Sequence, residues 1–403
     1  MRFTFIKFFS FSALVFTTAP AFSQYTYYKP KEGFGIEMSL SNTELKRMPM
    51  YRNSIASLTV TGDNIIGGTC ANEKMAPYIF VASLSKRELV QLKDLNDVLP
   101  GQKSIESGFF KTKDNTLYAG TIANKINDTT NGNGHLLQVN VDAAGIIKVA
   151  DLGVPVTGEG VFAITGNVNN NTVYGITYPS GIFFTYNIKS KTFKSFKNSI
   201  PDAGDLNSVK GEFHQQPETY LANALVVDNK GLVYGSKAIN KLFYFDPAND
   251  SFHIMSDLPE VWGRRSQGRV ESWVKSADGT LYGGNGGDGQ LFQIDPATKE
   301  VKNLGKPIMM NRLRGMCFGA DGKLYGLAGA LPGYAHLFSY DAKHEGFTDM
   351  GNPQFILKAP GIEGGIEWRG FQLRTIAASE DGKYIVMGED EALSQLLIFP
   401  VGK

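Results

Sequence analysis

Arg264, Arg265, Arg269, Arg312, Arg314, Arg369 and Arg374 supply seven guanidinium groups, each just before or at the start of a short apolar run. Arginine reads carboxylates and sulfates through a planar fork of N–H donors, so the set points to an anionic ligand. Arg52, Tyr51, Tyr220, Trp262 and Trp368 stand in comparable places, and flat aromatic faces suit sugar rings. Three of the five histidines, His135, His214 and His336, fall in loops of the same kind, where an imidazole can take or give a proton near neutral pH. His135 follows Asn131-Gly-Asn-Gly, a stretch that lets a ligand approach the backbone. His214 and Gln215 belong to Phe213-His-Gln-Gln-Pro-Glu-Thr-Tyr220, dense in groups that bind polyols. Glu159, Glu218 and Glu271 keep carboxylate chemistry open. Each arginine also has a plainer use, tying one structural unit to the next through Asp or Glu.

Other chemistries lack their motifs. The chain has no Gly-x-Ser-x-Gly elbow, phosphate loop, His-Glu-x-x-His or Cys-x-x-Cys. No residue spacing demands a structural Ca²⁺ or Zn²⁺, and no cofactor is expected.

The elements that must position these residues come from one repeated unit. An apolar run leads to an Asp-Gly or Asn turn, then Leu-Tyr-Gly, a variable loop and Leu-Phe-x-Tyr-Asp. Trp273 to Gly284 followed by Leu291-Phe-Gln-Ile-Asp is the clearest copy, and Met316 to Gly326 followed by Leu337-Phe-Ser-Tyr-Asp is another. Further copies begin near Leu58, Phe109, Phe162, Leu225 and Ile376, which makes seven. Asp-Gly between short apolar runs is a hairpin turn. The glycine after Tyr is read as letting crowded inner strands pass one another closely. Four antiparallel strands per copy is the pattern of a propeller blade. The expectation is all-β: a seven-bladed β-propeller of four-stranded antiparallel blades. The last copy ends three strands in, so Gly33-Phe-Gly-Ile-Glu-Met-Ser-Leu is expected to close the ring. Loops before the innermost strands then share a face with loops between second and third strands. That face collects the arginines and the three histidines.

Residues 1–23 read as a signal peptide, with Arg2 and Lys7 ahead of the apolar run Phe8 to Phe16 and small-x-small cleavage candidates at Ala19 to Ser23. Residues 24–403 are expected to form one domain, periplasmic or secreted, without a membrane span. The 40 basic and 39 acidic residues nearly cancel, which gives nucleic acid no global field to follow. A monomer is expected. Cys70 and Cys317 fall in blades separated by a third, too far apart for a disulfide.

With Arg, His and Tyr gathered on one propeller face, the chain resembles the propeller-type polysaccharide lyases of bacteria, including ulvan lyases and enzymes acting on rhamnose-glucuronate linkages. The resemblance covers the architecture, with loose motifs. It implies β-elimination on a uronic-acid polysaccharide, with His135 and Tyr220 in proton-transfer roles and Arg269 or Arg314 at the uronate carboxylate. Arg52, His214, Gln215, Trp262, Arg264, Arg265, Arg312, Arg314, His336 and Arg374 would hold the acidic polysaccharide or oligosaccharide. The alternative is a non-catalytic exported propeller binding a glycan or protein.

Overall fold

The computed structural model describes residues 27–38, 53–71, 77–125, 132–196, 224–237, 241–257, 269–309, 312–329, 335–359, 362–370, 372–390 and 395–402. The signal-peptide segment, Arg52, His214, Gln215, Tyr220, Trp262, Arg264 and Arg265 lie outside the described residues.

Seven four-stranded antiparallel blades form a ring. Their innermost strands are Ser54–Thr61, Phe109–Lys111, Gly160–Asn167, Val226–Val227, Val270–Lys275, Leu313–Phe318 and Leu373–Ala378. Each contacts the next around the circle, and the last returns to the first. Strand Phe34–Ile36 supplies the outer strand of blade 7, pairing Phe34 with Ile398, Gly35 with Leu397 and Ile36 with Leu396. The ring is closed from the N-terminal side, as the three-strand C-terminal copy requires. Strand Gly346–Ala359 is the outer strand of blade 6 and runs on to pair with Ile362–Arg369 and, in parallel, with Phe34–Ile36. That carries Trp368 and Arg369 on a hairpin between blades 6 and 7. Cys70 and Cys317 are both free thiols. Among the described residues no helix is long and apolar enough to cross a membrane.

The Asp-Gly turns take a different form from the two-residue hairpin that the dipeptide suggests. In Ser276 to Thr280 the Gly279 N–H donates to Ser276 O, and only the glycine, at φ 96°, is left-handed. That is a type I turn followed by a left-handed residue, the three-residue loop. The aspartate acts through its side chain: Asp278 accepts from the Thr280 N–H, and Asp321 accepts from the hydroxyl of Tyr325.

The glycine after Tyr also does something other than the sequence suggests. It lies directly across from the Phe of Leu-Phe-x-Tyr-Asp in the same blade: Gly67 opposite Phe80, Gly175 opposite Phe184, Gly235 opposite Phe243, Gly283 opposite Phe292, Gly326 opposite Phe338. The ring covers the bare backbone, so a Cβ at Gly283 would lie 2.2 Å from Phe292. Where the aromatic is missing so is the glycine, with Ala119 opposite Leu137 and Met387 opposite Leu397. Gly283→Ala is therefore expected to cost about 1–3 kcal/mol by overpacking. The same change in a Phe292→Leu background is expected to cost less than half as much, read from urea-denaturation midpoints. Equal costs in both backgrounds would refute the pairing.

Candidate functional site

At or just before the start of six inner strands stands the same triplet, an apolar residue, a variable one and a small one. These are Ile55-Ala56-Ser57, Ile105-Glu106-Ser107, Val161-Phe162-Ala163, Val270-Glu271-Ser272, Leu313-Arg314-Gly315 and Leu373-Arg374-Thr375. In five of them the register with the second strand breaks across the middle residue, leaving Ala56, Phe162, Glu271, Arg314 and Arg374 as β-bulges. A bulge re-aims a side chain that regular pleating would send into the sheet packing. All six middle residues line one axial cavity of about 430 Å³. Arg269 and Arg312, two residues before Glu271 and Arg314, line it as well.

Burial decides the electrostatics of this channel. Glu271 is 7% exposed and receives a bidentate pair from Arg312 (Nε to Oε2, 2.9 Å, and Nη2 to Oε1), with Arg269 Nη2 3.4 Å from Oε1. Arg314 reaches Asp390 at 2.7 Å, while Arg374 reaches Glu106 at 2.6 Å and Asp390 at 3.6 Å. Blade 1, between blades 7 and 2, contributes the small Ala56 to the lining at this level. Burial alone would raise the Glu271 carboxyl, but the Arg312 hydrogen bond and the charges of Arg269 and Arg312 hold it down at about 2. Burial likewise opposes ionisation of Glu106, and Arg374 overrides it. Burial pushes Arg269 and Arg314 below the usual guanidinium range, although arginine still stays charged.

Among the described residues four guanidiniums face three carboxylates, so 4 − 3 leaves one positive charge. Four buried polar atoms on residues of the cavity wall have no hydrogen-bond partner among the described residues: Arg269 Nη1, Arg314 Nε, Trp273 Nε1 and Thr375 Oγ1. Each such group costs about 1–3 kcal/mol. Arg312 also holds a left-handed backbone, φ 64°, rare for a long side chain, and is anchored there by Glu271. The opposite wall is apolar: Ala56, Phe162 and Leu225, with the Arg269 guanidinium 5.5 Å from the Phe162 ring centre. The arrangement can hold an acceptor-rich anion against blades 5 to 7 and an apolar surface against blade 3.

The structure brings Arg269, Arg312, Arg314 and Arg374 together and leaves the described histidines elsewhere. His135 lines a separate cavity of about 450 Å³ with Gln102, Asn124, Lys125 and Asn133. Its Nδ1 lies 2.9 Å from Asp151, and His336 Nδ1 lies 2.9 Å from Asp349. Gln290 occupies the same place in blade 5, accepting from Asn303 at 2.7 Å. In all three, the Asp or Asn also accepts 2.8 Å from a glycine N–H two residues on. Those glycines, 153, 305 and 351, are left-handed at φ 106°, 100° and 89°. The device fastens the third strand to a bulged outer strand, and glutamine serves it as well as histidine. Glu159 is taken by the Ser180 N–H and hydroxyl at 2.9 and 2.6 Å. Among the described residues no group of three or more His, Cys, Asp or Glu is placed to hold a metal. Glu106 and Asp390 are the site residues that sequence reasoning missed. The positional rule that gathers the arginines gathers both once it is applied to carboxylates.

No family model and no curated protein matches the chain. Among solved structures, it is similar to the extracellular domain of the one component system BT4673 from B. thetaiotaomicron, with 15% identity and a TM-score of 0.54 over 86% of this chain. The chain spans only 38% of that protein's length. It is similar over 90% of its length to virginiamycin B lyase from Staphylococcus aureus, with 10% identity, a TM-score of 0.56 and 97% of that chain covered. A third is the Cps50 (Swd1) β-propeller domain of Myceliophteria thermophila, with 8% identity and a TM-score of 0.56 over 87% of this chain and 96% of that one. At these identities the likeness is one of fold.

Proposed function

We propose that this chain is an exported propeller that binds an acidic saccharide at the axial channel, the ligand's carboxylate lying against Arg269 and Arg314. One observation carries the reading: among the described residues a single cavity is walled by one more guanidinium than carboxylates pair with, and its wall residues hold buried N–H groups without partners. A carboxylate would meet both needs, since charge-assisted bonds are about twice as strong as neutral ones. Binding without catalysis is favoured because the two described imidazoles on this face, His135 and His336, stand outside the lining of the channel. The BT4673 neighbour, an extracellular domain of a one component system, fits a propeller that captures or senses a ligand outside the cytoplasm. Arg269→Lys and Arg314→Lys keep the charge and lose the fork, and each is expected to weaken acidic-sugar binding about tenfold or more in isothermal titration. Unchanged affinity in both variants would refute the reading.

A chemical reading is also supported by the surplus guanidinium. Neutralising a uronate carboxylate acidifies its C5 proton, the first requirement of β-elimination. Arg269 or Arg314 would do this; of the two expected proton carriers, His135 lines a separate cavity, which leaves the role to Tyr220. Ultraviolet absorbance of the unsaturated product, followed over a panel of uronic-acid polysaccharides, tests it, and a flat trace with retained binding leaves the binding function alone.

A further inference from the structure

We propose, resting on the acidic-saccharide reading, that the channel takes one hexuronate end-on, as a free acid or as the terminal residue of a chain, and does not engage the interior of a polyuronate. The argument is geometric and begins from the triplets. Two residues beyond five of the six middle positions the lining turns apolar, with Leu58, Ile164, Trp273, Met316 and Ile376 forming a tier below the charged one. Residues from all seven blades wall the cavity, so a carboxylate that reaches Arg314 is encircled. An interior segment must enter and leave. Its two exits would lie either across the blade tops, away from Arg314, or down through the apolar tier, where hydrated carboxylates are costly. A terminal ring needs neither route. The volume, about 430 Å³, is near the lower end of the ~300–1,000 Å³ typical of small-molecule sites. The ring's carboxylate would lie against the guanidinium groups of Arg269 and Arg314, which wall the cavity together with Trp273. The other flank of the sugar would face Phe162, whose ring already carries the Arg269 guanidinium on one side.

Isothermal titration of the intact protein separates the outcomes. The probes are free glucuronate, galacturonate and mannuronate, the polymers of the same three acids, and glucose as a neutral control. We expect at least one free hexuronate to bind and its polymer to bind with a Kd per chain end within about tenfold, or more weakly, with stoichiometry that counts ends. A free acid much tighter than the chain end identifies a monosaccharide ligand, and parity identifies a chain terminus; both support end-on entry. Polymer binding that exceeds one protein per end, or that persists where every free hexuronate fails, overturns the end-on inference while leaving the acidic-ligand reading intact. Glucose binding as tightly as the acids, or no binding by any probe, removes both.

Discussion

Glu271→Gln is expected to lower the stability of the ring by about 3–5 kcal/mol, because it strips a buried ion-pair network of its central charge. The amide nearly preserves shape, so the loss reports electrostatics more than a cavity. Arg312 and Arg269 would be left facing each other inside the channel, with no carboxylate between them. Glu380→Gln is the control: Glu380 pairs with Lys111 at the surface, and such pairs contribute about 0–1 kcal/mol. The pH dependence carries the same signature. The Glu271 carboxyl sits at about 2 in the folded protein against an ordinary 4.5. A depressed carboxylate stabilises fully above its unfolded value and loses that contribution as pH falls toward its folded one. Stability should therefore decline from about pH 4.5 down to about 2, with Glu106 adding to the same limb. In Glu271→Gln this acid limb should be shallower. Urea midpoints across pH 7 to 3 for both proteins measure it, and parallel curves would show that Glu271 is not the buried charge described.

Ile36→Asp is expected to cost more than about 4 kcal/mol, in the range reserved for buried charges and broken cores. Ile36 is 1% exposed and packs among Ile55, Phe80, Val386, Leu396 and Ile398, which belong to blades 1 and 7. It therefore sits on the seam where the two ends of the chain close the circle. Ile36→Val removes one methylene and should cost only about 0.5–1.5 kcal/mol. Hydrogen exchange localises the effect, with protection expected to fall first in Leu396–Pro400 and Tyr384–Glu389. Similar costs for the aspartate and valine variants would show that the strand is not a structural part of the ring.

Much of this molecule is written in local patterns. Repeated Asp-Gly turns, Leu-Tyr-Gly and Leu-Phe-x-Tyr-Asp specify strands and hairpins over a dozen residues at a time, and a copy lacking its fourth strand implies a closing strand from the other end. Such features survive translation into three dimensions because they depend on neighbours in sequence and on a period of two. The arginines of blades 5 to 7 were also legible as a group, since matching positions in successive copies share a face whatever the details. What the sequence could not say is where each side chain points. A one-residue bulge reverses the facing of every residue beyond it, and it is the bulges that turn Glu271, Arg314 and Arg374 into the channel. Nor could it pair charges across blades: Arg374 with Glu106 spans 268 positions of chain and meets only when the ring closes. The histidines looked chemical by type and loop, yet their Asp partners lie one strand away, and only the paired strands show Gln290 in the same role. Sequence determined the repeat and its ring; the tertiary structure alone decided which charges are buried together, because burial and charge pairing are properties of closed space.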